Sequence, residues 1–140
     1  MLKSVDVSDY MLENPVKVAA TDDIFTAIDV ITENRVSGVC VVDSDNRLLG
    51  VLSEMDCLRA TLSAIYNETA SVGRVEAFMA SEVTTCNLHD DVVNVASDML
   101  KQGHRRRPVV HEGKLVGQIT CRQLLRVVRQ FNRSKPAHSG

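Results

Sequence analysis

The stretch Val39-Cys40-Val41-Val42-Asp43-Ser44-Asp45-Asn46-Arg47-Leu48-Leu49-Gly50-Val51-Leu52-Ser53-Glu54-Met55-Asp56 decides how this chain is read. Four consecutive apolar residues at 39–42 read as a buried strand. Asp43 to Asn46 is turn chemistry. Leu48–Leu52 is a second strand, which forms a hairpin with the first. Ser53 then caps a helix running to about Leu62. Upstream, Val16-Lys17-Val18 is a short extended segment. Thr21 or Asp22 caps a helix in which Ile24, Ala27, Ile28 and Ile31 recur at helical spacing. The order is β-α-β-β-α.

The same order returns further along. A shift of 68 places Met79 on Met11, Asp90-Asp91 on Asp22-Asp23, and Val109-Val110 on Val41-Val42. After one deletion in a turn, a shift of 67 places Leu115 on Leu48, Gly117 on Gly50, and Leu125-Arg126 on Leu58-Arg59. The second copy reads as Thr84-Thr85-Cys86, a helix at 90–103, a strand at Pro108-Val109-Val110, a turn at Glu112-Gly113, a strand at Leu115–Ile119, and a helix from Thr120 to about Phe131. Gly113 permits the shorter hairpin. The expected division is a first repeat at 7–62, a linker at 63–76, a second repeat at 77–131, and a mobile tail at 132–140. One such unit exposes a sheet face that it cannot cover alone. The expected fold is therefore α+β, with two copies packed as a pseudo-twofold pair and clefts between them.

Composition removes several classes of function. At 140 residues, 44% apolar and 24% charged, the chain matches an ordinary globular domain. Its longest apolar runs hold about four residues, and a membrane helix needs roughly 20. The N-terminus lacks an apolar signal core, so a cytoplasmic location is expected. Aromatics make up 4% with no Trp, which argues against a stacking platform for nucleic acid. Cys40, Cys57, Cys86 and Cys121 form no C-x-x-C pair and read as buried small hydrophobes. With no oxidising compartment indicated, no disulfide framework is expected. His89, His104, His111 and His138 are not at metal-ligand spacing with them. No nucleotide-loop, nucleophile-elbow or zinc-protease motif is present, so no enzyme is expected.

The net charge of −2 hides an asymmetry. Residues 1–100 carry −11 and residues 101–140 carry +9. The basic groups fall in Arg105-Arg106-Arg107 and in Arg122, Arg126, Arg129 and Arg133, which share one helix face. Such a face is either solvated or meets a phosphate-bearing or acidic partner. Three arginines just before a buried strand are a costly place for charge without a partner. Ser53-x-x-Asp56 is a capping box at a helix start. Thr120-x-x-Gln123 keeps the cap in the second copy and loses the carboxylate.

The repeat, the run Val36-Ser37-Gly38-Val39-Cys40-Val41-Val42-Asp43 and the run Gly50 to Asp56 resemble the cystathionine-β-synthase (CBS) domain. His104-Arg105-Arg106-Arg107-Pro108-Val109-Val110 and Gly117-Gln118-Ile119-Thr120-Cys121-Arg122-Gln123 supply the second copy. Together they look like a tandem CBS pair, or Bateman module, from about Val7 to Arg129. The resemblance implies a regulatory sensor, usually dimeric, that binds an adenosine-containing ligand between repeats. AMP, ADP or ATP is expected first, then S-adenosylmethionine or NAD. Carried over residue by residue, Ser53 and Asp56 would share a cleft with Thr84, Thr85, Cys86, His104, Arg105 and Arg106. Asp56 would accept from the ribose hydroxyls. Arg106, with His104 or Arg105, would neutralise phosphate. The opposite cleft would join Thr120 and Gln123 with Val16, Lys17, Val36, Ser37 and Gly38. It lacks the acid and is expected to be weaker. The competing readings are a structural dimerisation module with vestigial sites and a binder of an acidic partner through the basic C-terminal helix.

Overall fold

The structure, a computed structural model, describes residues 5–69 and 71–134. It contains β1 (Leu12–Glu13), β2 (Lys17–Ala19), α1 (Ile24–Asn34), β3 (Gly38–Val42), β4 (Leu48–Ser53), α2 (Glu54–Tyr66), β5 (Cys86–Asn87), α3 (Val92–Gln102), β6 (Arg106–His111), β7 (Lys114–Thr120) and α4 (Cys121–Ser134). The α+β class and both β-α-β-β-α copies are present. The chain divides into two compact units. Among the described residues, one holds 15–69, 71–83 and the turn at 112–115; the other holds 5–14, 84–111 and 116–134.

In the first of these, β2, β3 and β4 form a sheet in that order, β2 parallel and β4 antiparallel to β3. Gly38 pairs with Ser53 and Val41 with Gly50. Helix α1 lays Ile24, Ala27 and Ile31 on Val18, Val39, Val41 and Leu52. Ile24 and Leu52 are fully buried, each contributing about 1.5–3 kcal/mol. The 112–115 turn joins this unit through bonds from Leu48 N to Gly113 O and from Leu115 N to Asn46 O. In the other unit the sheet order is β1-β7-β6-β5. Val92, Val95 and Met99 of α3 cover Cys86, Val109 and Ile119.

A reciprocal crossing of chain segments was not anticipated. A turn of 3-10 helix at Val7–Asp9 precedes the first copy but packs with the second, where Val7 N donates to Asp90 O and Ser8 N to Leu88 O. The matching turn at Val75–Ala77 packs with the first copy, where Val75 N donates to Asp22 O and Glu76 N to Ala20 O. All four bonds obey the shift of 68, so the repeat holds at single hydrogen bonds.

Several boundaries move. The cap of α1 is Asp23, not Thr21 or Asp22. Asp22 is occupied, because its Oδ2 accepts from Ala19 N at 2.9 Å, so the next residue caps. The second copy repeats this device with Asp90 on Asn87 N and Asp91 as cap. Helix α2 runs to Tyr66 rather than Leu62, since Ser63 to Tyr66 contains no breaker, and it ends at Asn67. Val16 and Thr84-Thr85 lie just outside their strands, which begin at Lys17 and Cys86. Helix α4 continues to Ser134, and residues 135–140 lie outside the described residues.

Both α1 and α3 end in the left-handed conformation, at Arg35 (φ 54°) and at Gly103 (φ 69°). Only glycine adopts it without a Cβ penalty. Arg35→Gly should therefore stabilise the protein by roughly 0.5–1 kcal/mol in urea unfolding. An unchanged or lower midpoint would contradict this.

Candidate functional site

Asp56 stands at the third position of α2. Ser53 Oγ accepts from Asp56 N at 3.1 Å, and Asp56 Oδ2 accepts from Ser53 N at 2.9 Å. The capping box is complete. Asp56 Oδ1 is held by Arg59 Nη1 at 3.1 Å, in an ion pair whose arginine is 69% exposed. The backbone thus fixes one carboxylate oxygen, and a solvated side chain that rotates away at little cost holds the other.

Ser53 and Asp56 lie in one unit; Thr84, Thr85, Cys86, His104, Arg105 and Arg106 lie in the other. Within that other unit the structure joins both groups, because β5 and β6 are parallel neighbours with Cys86 opposite Val109. Cys86 Sγ donates to Pro108 O at 3.7 Å. Thr84 and Thr85 are exposed in the lead-in to β5. The arginine run divides. Arg105 is exposed, and its carbonyl accepts from Cys121 N at the start of α4. Arg106 and Arg107 are strand residues and alternate, so they lie on opposite sheet faces. Arg107 is buried, and its Nη1 meets Asp98 Oδ2 of α3 at 2.8 Å. Its Nη2 donates to His104 Nδ1 at 3.2 Å. The buried charge does have a partner, and that partner belongs to the same unit.

Burial, then nearby Asp90, pushes the Cys86 thiol from 9.0 up to about 11, with Arg107 opposing. Cys57 is raised for similar reasons, with burial first. Neither is poised as a thiolate. Cys40 is also buried, and Cys121 is half-buried; all four thiols are free. A folded-state pKa above the unfolded value stabilises below pH 9 and ceases to do so as pH rises through 11. Stability should fall between pH 9 and 11, and Cys86→Val, which copies Val18, should flatten that slope. An equal slope in both proteins would count against a buried thiol.

The weaker group lies mostly in the first-described unit. Ser37 O accepts from Glu54 N, and Gly38 pairs with Ser53, so the lead-in to β3 borders the Ser53 cap of its own copy. Lys17 Nζ donates to Asn46 Oδ1 at 2.7 Å. Val16 O accepts from Cys40 N, and Val36 N donates to Ile31 O. Thr120 Oγ1 accepts from Gln123 N at 3.0 Å in the other unit. Among the described residues no bond returns from the Gln123 side chain, so the box is half made. Among the described residues no His, Cys, Asp or Glu group could hold a metal, and no helix is long and apolar enough to cross a membrane.

Sequence reasoning missed two contributors: Arg59 as the second holder of Asp56, and Asp98 as the partner of Arg107. Strand alternation could have separated Arg107 from Arg106. The shift of 68 could have flagged Asp98 and Arg107 as replacing the valine pair Val30 and Val39.

Comparison with known proteins places this geometry. An uncharacterised protein of Methanocaldococcus jannaschii is 30% identical over 122 residues, 87% of this chain and 42% of that protein. The chloroplastic CBS domain-containing protein CBSX1 of Arabidopsis thaliana is 30% identical, across 84% of this chain and 60% of its own. The chain thus spans less than two thirds of either relative's length. The crystal structure of CBSX2 in complex with AMP superposes with a TM-score of 0.81 at 25% identity, covering 93% of this chain and all of that one. The CBS domain family matches residues 7–63 and 72–130. Two copies of one fold, each matched across its length, mean that this chain belongs to the CBS domain family as a tandem pair.

Proposed function

We propose that the chain is a non-catalytic regulatory module that binds one adenosine-containing ligand, with AMP, ADP or ATP ahead of S-adenosylmethionine and NAD. Asp56 exchanges Arg59 for the ribose hydroxyls. Arg106, on the sheet face opposite Arg107, takes phosphate with Arg105 or His104, and Thr84, Thr85 and Cys86 border the base. The half-made cap at Thr120 and Gln123, with Val16, Lys17, Val36, Ser37 and Gly38, forms a weaker second site. The observation that carries this reading is the Asp56 carboxylate, with one oxygen locked by the backbone and the other held only by an exposed arginine. The likeness to CBSX2 crystallised with AMP supports it. A thermal-shift panel of AMP, ATP, S-adenosylmethionine and NAD tests it. Ligand at 100 times its Kd should stabilise by about 2.7 kcal/mol. No shift with any of the four would refute it.

The working form in this reading is a cytoplasmic homodimer acting on another protein. Met55, Leu58, Leu62, Ile65 and Tyr66 make one exposed apolar face along α2. Such patches mark interaction surfaces. Leu58→Glu with Leu62→Glu should convert dimer to monomer in sedimentation, and a wild-type protein that is already monomeric would remove this part. A second reading has one favouring observation. Arg122, Arg126 and Arg129 are exposed on α4, which suits an acidic partner.

A further inference from the structure

A ligand that takes Asp56 must first displace Arg59. Asp56 Oδ2 is fixed from the backbone side by Ser53 N at 2.9 Å. Oδ1 is held by Arg59 Nη1 at 3.1 Å, on the exposed side of the carboxylate. The Asp56 side chain keeps 19% of its surface open and the Arg59 side chain 69%. A hydroxyl arriving at Oδ1 therefore replaces a charge-assisted bond and not water alone.

The second copy shows that the helix does not need this pair. The shift of 67 places Gln123 on Asp56 and Arg126 on Arg59. Gln123 carries no charge, Arg126 is exposed, and Thr120 Oγ1 still accepts from Gln123 N to start α4. In the first copy, Ser53 and Asp56 close their box on each other's backbone without Arg59. An exposed pair three residues apart adds only about 0.2–1 kcal/mol to a helix. Its greater consequence falls on whatever else must reach Asp56. At that strength the carboxylate is open in roughly a sixth to two fifths of the molecules, and apparent affinity falls by the same fraction.

We propose that Arg59 is a tethered competitor for the ribose and sets the ligand concentration at which the module responds. The proposal rests on the reading of Asp56 as the ribose acceptor. Arg59 alternates between Asp56 and solvent, and the ligand binds only when it is turned out. The competition is ionic on one side and neutral on the other. Salt screens the guanidinium–carboxylate pair and leaves the hydrogen bonds of an uncharged nucleoside nearly untouched. Binding of such a ligand therefore strengthens as ionic strength rises. Attraction between arginines and a phosphate gives the reverse.

NMR titration of the full chain with adenosine, following the Ser53 and Cys57 amides, tests this. Adenosine keeps both ribose hydroxyls and has no phosphate. Arg59→Met keeps an aliphatic stem and good helix propensity and removes the charge. It should bind adenosine about two- to sixfold more tightly than wild type in roughly 0.02 M KCl. In roughly 0.3 M KCl the wild type should approach the variant, whose own affinity stays flat. This wild-type salt profile requires no variant to fold. Asp56→Ala should remove adenosine binding. If Asp56→Ala binds adenosine as wild type does, or wild type gives no saturable response, the ribose reading fails and the proposal with it. If Asp56 is required, yet Arg59→Met binds no more tightly than wild type or wild-type affinity falls with salt, the proposal alone is overturned.

Discussion

Gly50→Ala is expected to destabilise the protein by about 2–3 kcal/mol, and Gly117→Ala by clearly less. The two glycines are counterparts, yet their surroundings differ in stiffness. A Cβ at Gly50 would stand 2.5 Å from the Ala80 carbonyl oxygen and 2.9 Å from Met79 Sδ. That carbonyl is bonded to Val51 N, and Ala80 N donates back to Val51 O. Relief would break a backbone bridge. At Gly117 the nearest atom is Met11 Sδ, the end of a flexible side chain, and the nearest carbonyl oxygen, that of Leu12, is 3.0 Å away. The thioether can swing aside. Urea unfolding of both variants measures the order, and a larger loss at Gly117 would show that Met11 is as rigid as backbone.

This pair also shows how much could be read beforehand. The alignment of Gly117 with Gly50 and of Met79 with Met11 was visible as pattern. Periodicity located the strands because Val39 to Val42 and Leu48 to Leu52 must bury apolar side chains. It could not tell that residues 5–14 pack with the second copy, because both copies offer the same edge and only connection geometry chooses. Asp56 stood out by its spacing from Ser53. The parting of Arg106 from Arg107 needed the strand boundary, which polar residues blur. Asp98 was hidden because a lone acid on a helix reads as solvated until its neighbour strand is placed.

Asp56→Ala should abolish measurable binding of adenosine ligands, the largest functional change foreseen. A carboxylate accepting from two adjacent hydroxyls makes two charge-assisted bonds, each contributing about 1.5–3 kcal/mol, so affinity should fall by more than ~100-fold. The variant also loses half its capping box, which lowers apo stability by about 1 kcal/mol. The ligand-induced shift separates these effects, since a cap defect lowers the apo midpoint and leaves the shift intact. Gln123→Ala should leave the shift nearly unchanged, and equal losses in both variants would relocate the main site.

Calorimetric titration of the wild type and of Asp56→Asn with AMP and with 2′-deoxy-AMP isolates the contact in question. Wild type should bind the deoxy ligand at least about tenfold more weakly, whereas Asp56→Asn should hardly distinguish the two. If the wild type binds both nucleotides alike, the carboxylate does not grip the sugar, and the site lies elsewhere.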